Sequence, residues 1–365
     1  MRGVGVNLRR MPQVAAPPLP VVDGRPIARL LIVKLSSLGD VVHALPVAAA
    51  LRSRFPALHL TWAVEARCAP LVHQQGVVDA VIELPRLEWG AFGGAWLAAM
   101  RAPLAAIRAA RCDAVLDLQG LLKSALLALA AGAPVRLGVA PQREGAQLVV
   151  RAVPSREGRA HVVEQYLAAA RYLGAEAEPV RFGLRVDAVA DAAIGRRLAS
   201  AGIDGGRPLL VVNPSPSRRA KRWPLRQWMA AIRALAADGA VVLVGGPEHR
   251  AAHAQLRDAG GAALDLTGAT SLLELMALLA RAAVHLAPDT GSLHLAAALG
   301  RPAIGIYGPT PTWRLGPWGQ PDNALSGAAA CGVGCPRLCW RRRCLDAVTP
   351  AAVIERTRQV LAANP

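Results

Sequence analysis

The chain has 365 residues, 53% of them hydrophobic and 18% charged, which excludes a disordered or fibrous protein and leaves room for two domains with separate cores. Its formal net charge of +17 attracts anions, so phosphates, nucleic acid and anionic membrane faces stand as partner classes against a plain Arg- and Ala-rich bias with no partner attached. Few aromatics and no helix-turn-helix, zinc-finger or RNP-like signature argue against nucleic acid, and apolar windows such as "SALLALAAGAPV" stop at about a dozen residues where a membrane-crossing helix needs roughly 20.

Residues 1–27 are basic through arginine, carry several prolines and lack both an uninterrupted apolar stretch and a small-residue cleavage site, so they read as a flexible extension of a cytoplasmic chain. Six cysteines in this length fit a reducing compartment, with Cys68 and Cys112 as core residues. From residue 28 onward, strand-like and helix-like stretches alternate, the pattern of parallel sheets covered by helices. "ARLLIVK" (28–34), "LHLTWAVE" (58–65), "AVIEL" (80–84) and "AVLDLQG" (114–120) read as buried strands of one sheet. The first breaks at "LSSLGD", which delivers Asp40 to the mouth of a helix. The helix dipole favours a carboxylate there whether it caps the helix or does chemistry, so position alone leaves both readings open. Pro46 is expected to kink that helix or confine its first turn.

A helix at "HVVEQYLAAARYLG" and the Gly/Pro-rich "ASAGIDGGRP" then lead to a second series. Its strands are "PLLVVNP" (208–214), "AVVLVGG" (240–246), "ALDLTG" (263–268), "AVHLAPD" (283–289) and "AIGIYGP" (303–309). The expected fold class is α/β, two doubly wound Rossmann-like domains facing each other across a cleft at their strand carboxyl ends, where such sheets bind ligands. The division is drawn as 1–27, 28–190 and 191–365, with the last helix a candidate to pack back on the first domain.

In "APDTGSLHLAAALGRP" (287–302), Asp289 reads as an N-cap, followed by a helix that Gly300 ends. The N–H groups of Thr290, Gly291 and Ser292 would be free to bind a diphosphate, and His294 would project from the same face; an ordinary capped helix with a surface histidine is the plain alternative. In "NPSPSRRAKRWPLRQW" (213–228), Lys221 is a compact cation suited to phosphate. Glu248 in "GGPEHR" offers a carboxylate to ribose hydroxyls. Three strand-end loops with these chemistries point to a nucleotide. An ionised Asp40 facing that nucleotide from the other domain would stand where a general base belongs.

Taken together, "LLIVKLSSLGDVVHALP", "DLQGLLKSA", "GVAPQREG", "HVVEQY", "AKRWP", "DLTGATSLLEL" and "PDTGSLHLAAALGRPAIGIYGPT" resemble the lipopolysaccharide heptosyltransferases of glycosyltransferase family 9, over roughly residues 28–362 and most closely the first heptosyltransferase. The resemblance implies a GT-B fold, with an acceptor-binding first domain and a second domain holding ADP-L-glycero-β-D-manno-heptose. It implies inverting transfer of the heptose to Kdo or to the first heptose of the inner core. Matched by motif, Asp40 is the catalytic base. Ser217, Lys221, Asp289, Thr290, Gly291 and His294 match donor contacts, with Glu248 added to the donor set as the ribose candidate, and Gln119, Lys123 and Arg143 face the acceptor. No cofactor is expected, since a lysine and a helix start would stand in for a metal ion at the diphosphate and no Asp-x-Asp pair occurs in a donor loop. Expected partners are the nucleotide-sugar and lipid A–Kdo, with the chain a monomer, peripheral on the cytoplasmic face of the inner membrane. "CGVGCPRLCWRRRC" places Cys331, Cys335, Cys339 and Cys344 in one loop; four thiolates suit a structural zinc, but the usual C-x-x-C pairs are missing, so reduced cysteines are the expectation. The competing functions are a GT-B transferase with another donor or acceptor, a sugar-nucleotide epimerase, and a non-catalytic nucleotide-binding protein.

Overall fold

The computed structural model describes residues 19–86, 94–139, 141–154, 159–216, 218–331 and 343–364. The described chain opens on a two-strand ribbon, β1 (Val21–Val22) against β2 (Arg25–Pro26), with Val22 and Ile27 buried. Part of the stretch expected to be a flexible extension is therefore a paired, partly buried ribbon.

The first unit runs β3 (Arg29–Val33), α1 (Leu38–Arg54), β4 (His59–Glu65), α2 (Ala69–Gln75), β5 (Ala80–Leu84), α3 (Gly94–Ala109), β6 (Ala114–Asp117), α4 (Leu122–Ala130), β7 (Val135–Gly138), β8 (Arg151–Ala152) and α5 (Val162–Tyr172). Its sheet is parallel throughout, in the order β5-β4-β3-β6-β7-β8. The second unit runs α6 (Ala188–Ser200), β9 (Leu209–Val212), α7 (Leu225–Leu235), β10 (Ala240–Leu243), α8 (Arg250–Gly260), β11 (Leu264–Asp265), α9 (Leu272–Arg281), β12 (Val284–Pro288), α10 (Gly291–Ala298), β13 (Ala303–Tyr307), α11 (Thr312–Leu315), β14 (Ala324–Ser326), α12 (Arg343–Asp346) and α13 (Pro350–Ala363). Its parallel sheet has the order β11-β10-β9-β12-β13-β14.

Counted within each unit, both orders are 3-2-1-4-5-6, the doubly wound arrangement whose strand order reverses between the first and fourth strands. Both sheets are buried on two faces, which is why the inner strands are near-continuous apolar runs. Leu30, Leu31, Ile32 and Val33 of β3 are all fully buried. The strands read from sequence are all present. In the two large sheets the strands that escaped it are β7, β8 and β14, two to four residues long and without the run of consecutive apolar residues that marks β9 and β10.

One apolar cluster joins the units. Val41, Leu45 and Val47 of α1 share it with Met276 of α9 and Leu293 of α10, and α1 packs against both α5 and α10. Helix α13 buries Val353 and Val360 with Trp223, Trp228 and Ile232 and packs against α7, β12 and β13 of the second unit. Helix α1 runs through buried Pro46, which lies past the first turn to which a proline could have been confined.

Candidate active site between the two sheets

At the first sheet's switch point, α1 begins beside the loop that follows β6. Asp40 is the third residue of α1 and closes a capping box: its Oδ2 accepts the Ser37 N–H at 3.0 Å and the Ser37 hydroxyl at 2.8 Å. Among the described residues its Oδ1 has no hydrogen-bond partner. Asp40 thus caps with one oxygen and leaves the other available. Burial works to raise its pKa, but the Lys34 ammonium, the Ser37 N–H and hydroxyl, and His294 outweigh it and hold the carboxyl below its ordinary value.

Lys34 is 2% exposed at the end of β3. Its Nζ donates to the Leu118 carbonyl at 2.9 Å and the Tyr166 hydroxyl at 2.8 Å. Burial acts to lower its pKa; Tyr166 and Asp40 reverse that, so the ammonium is retained. The loop after β6 is organised by buried Asp117, whose Oδ1 accepts the N–H of Gln119 and of Gly120 and whose Oδ2 accepts the Ser124 hydroxyl. Gln119 Oε1 accepts the N–H of Leu35 and of Ser36, which ties that loop to the Asp40 loop. Lys123 Nζ lies 3.8 Å from buried Glu65, whose carboxylate also accepts from Ser36 and Arg67. Arg143 is exposed, its N–H bonded to the Gly120 carbonyl at the foot of α4.

At the second switch point the loops after β9 and β12 meet. Asp289 is 9% exposed; its Oδ2 pairs with Lys221 Nζ, and its Oδ1 with His294 Nε2 at 3.1 Å. Burial pushes this carboxyl up, and His294 and Lys221 override it, leaving it well below the carboxylate range. The N-cap of α10 is Thr290, not Asp289, whose carboxylate is committed to the lysine and the histidine. Behind the helix start, buried His285 donates from Nδ1 to the Val211 carbonyl at 2.9 Å, so its Nε2 is left to accept from the Ser292 hydroxyl at 3.1 Å. Asn213 Nδ2 donates to the same hydroxyl at 3.0 Å, bracing α10 against the β9 loop. Glu248 stands apart from the Lys221–Asp289 pair. It is exposed on a cavity of about 890 Å³ that Ser215, Arg222, Trp223 and His249 also line. Ser217, Cys335 and Cys339 lie outside the described residues.

The two switch points meet head to head. A Cβ on Gly39 would sit 2.7 Å from the His294 ring, and one on Gly291 2.8 Å from Leu38 Cβ, so only glycine lets α1 and α10 approach this closely. The His294 ring lies 4.3 Å from that of His43, which meets His161 edge-on at 5.5 Å. Asp40 and the Lys221–Asp289–His294 group are thus brought to one meeting point of the two units, close enough for His294 to act on the Asp40 carboxyl.

The sequence profile described as "Glycosyltransferase family 9 (heptosyltransferase)" matches residues 100–339. Lipopolysaccharide heptosyltransferase 1 of Salmonella typhimurium is 32% identical over 81% of this chain and 93% of its own. The chain belongs to glycosyltransferase family 9. Lipopolysaccharide heptosyltransferase 2 of Escherichia coli is more distant, 26% identical over 77% of this chain and 83% of its own. Among solved structures, E. coli heptosyltransferase WaaC with ADP superposes with a TM-score of 0.71 at 28% identity, over 91% of this chain and 99% of that one; the same enzyme with ADP-2-deoxy-2-fluoro heptose gives 0.69 at the same coverage. The two facing sheets are thus the GT-B fold of a glycosyltransferase.

In this family 9 chain, sequence reasoning missed Lys34, Asp117, Tyr166 and the His43–His161 pair. Lys34 looked like the polar end of a strand, and His43 and His161 are 118 positions apart, so nothing local announced their contact. The signal that was available for Lys34 is a lysine directly after four apolar strand residues, facing a serine-rich loop.

Proposed function

We propose that the chain transfers L-glycero-D-manno-heptose, with inversion, from ADP-heptose to the Kdo of the lipopolysaccharide inner core. The observation that carries this reading is the meeting of the two switch points, an ionised acid on one and a cation with a helix start on the other. Residues 191–365 take the donor and residues 28–190 the acceptor. Lys221, held at the cleft by Asp289, keeps donors free for the diphosphate, which also receives the N–H groups that begin α10. Oδ1 of Asp40 removes the acceptor hydroxyl proton while that oxygen attacks the anomeric carbon opposite ADP. As the C–O bond to ADP breaks, the developing charge falls on Lys221 and α10, so a fixed cation and a helix dipole serve where a metal ion would otherwise act.

Gln119, Lys123 and Arg143 line the acceptor side, and Ser217 and Glu248 complete the donor side. The higher identity to heptosyltransferase 1 than to heptosyltransferase 2 supports Kdo over the first heptose as the acceptor. The enzyme acts as a monomer, peripheral on the cytoplasmic face of the inner membrane, and no helix of the described residues is long and apolar enough to cross it.

Incubating the protein with ADP-heptose and Kdo₂-lipid A, or with its monoheptosylated form, and weighing the lipids tests the substrates. One added heptose on Kdo₂-lipid A is expected; no gain on either acceptor overturns the assignment. Asp40→Asn should retain ADP binding and lose turnover by about 10²–10⁴-fold. A variant that turns over normally would remove Asp40 from the chemistry.

A further inference from the structure

Helix α4 starts at the cleft, next to Gln119 and Lys123, and carries leucines on its outward side. Leu126 and Leu129, three residues apart and so on one face, are 50% and 51% exposed. The short turn Ala146–Leu148 packs against α4 and exposes Leu148 at 87%. Single exposed leucines are ordinary, but three on two elements that touch are a concentration of exposed apolar side chains. Cations border it. Arg143 is exposed at the foot of α4, and Arg101 and Arg108 are exposed on α3, which packs beside α4; Glu144 is the acid in the same turn as Arg143.

Leucines bordered by guanidinium groups, on a chain of net charge +17, complement one kind of surface above others. Apolar side chains enter the boundary between headgroups and acyl chains while the arginines stay among lipid phosphates. We propose that the face formed by α4 and residues 146–148 seats the first lobe on an anionic lipid bilayer, with the Gln119–Lys123 edge of the cleft turned toward the membrane. The inference rests on the reading that the acceptor is a lipid-borne sugar. It adds the part of the molecule that meets the lipid, and it explains why an exposed apolar helix face adjoins the acceptor side of the cleft.

The test uses the full chain and the triple variant Leu126→Gln, Leu129→Gln, Leu148→Gln, sedimented with phosphatidylcholine vesicles with and without about 30 mol% phosphatidylglycerol. The unsubstituted chain should partition onto the anionic vesicles, and less so as salt is raised. The triple variant should partition at least about tenfold more weakly, with unchanged melting temperature and ADP affinity. Its transfer to acceptor dispersed in detergent should stay normal, while transfer to acceptor in vesicles falls. Equal partitioning of the two proteins, or no binding of the unsubstituted chain to anionic vesicles, overturns the proposal. So does a dimer that the substitutions convert to monomer in sedimentation velocity, because the face would then belong to a second copy. Leucine-dependent vesicle binding without heptose transfer in detergent would sustain the surface and sink the substrate assignment alone.

Discussion

Asp40 and Asp289 carry the same functional group in opposite settings. Asp40 gives one oxygen to its own helix cap and has no partner on the other among the described residues, whereas Asp289 commits one oxygen to Lys221 and the other to His294. The pair at Asp289 determines what Lys221 contributes. An ammonium has three donors, so the carboxylate fixes its position without exhausting it, and in the proposed function a diphosphate would meet a cation already in place. Lys221→Ala should weaken ADP binding by about tenfold or more in titration calorimetry, since a partly desolvated phosphate–ammonium contact is charge-assisted on both sides. It should also destabilise the free protein by about 1–3 kcal/mol, because Asp289 stays buried with a single partner. An unchanged ADP affinity would move the phosphate site elsewhere. Asp289 and Lys221 were both readable as a strand-end acid and a loop cation. Their pairing was not, since 68 residues separate them and only the adjacency of β9 and β12 brings their loops together.

At the scale of elements, the site depends on two helix starts placed nose to nose. Gly39 and Gly291 are ordinary helical glycines in their own elements, and each matters because of what lies across the interface. Gly291→Ala would drive a methyl into Leu38, and over-packing of that kind costs about 1–3 kcal/mol. The expected result is a lower melting temperature together with a loss of kcat/KM larger than that cost explains, because pushing α10 from α1 separates Lys221 from Asp40. If kcat/KM survives while stability falls, the close approach serves packing alone. Neither glycine could be singled out from the sequence. The "SLGD" and "DTGS" stretches show a helix start well enough, but a close contact between two helices is a property of their docking.

For the whole molecule, buried neutral histidines set the response to acid. His161, His253 and His285 are each pushed down to about 4 from an ordinary value of 6.5, with burial as the largest cause, and His43 is held well below it for the same reason. Between those limits the unfolded chain takes up protons that the folded chain refuses, so stability is greatest above pH 6.5 and falls as pH drops toward 4. The slope is about 1.4 kcal/mol per pH unit for each such histidine well inside the window. Asp289 adds a loss of the same sign lower down, below the ordinary carboxylate value. Melting temperature should therefore decline steadily from pH 7 to pH 5, and His285→Asn, less stable at neutral pH, should show a shallower decline. A flat profile would mean that water reaches these rings.

The alternation of strands and helices, the two-unit plan, the strand-end loops that carry the candidate site residues, and the family were all legible in the sequence. Those are written in runs of a few residues, where apolar periodicity and turn residues act locally. What came from the docking of distant segments is that Asp40 caps α1 within reach of His294, that Lys34 sits buried beside it, and that α13 packs on the second unit. The same docking brought three histidines from distant segments into one interface. Each of these depends on which surfaces meet when two sheets dock, and burial and charge at such a meeting are set by neighbours far away in the chain.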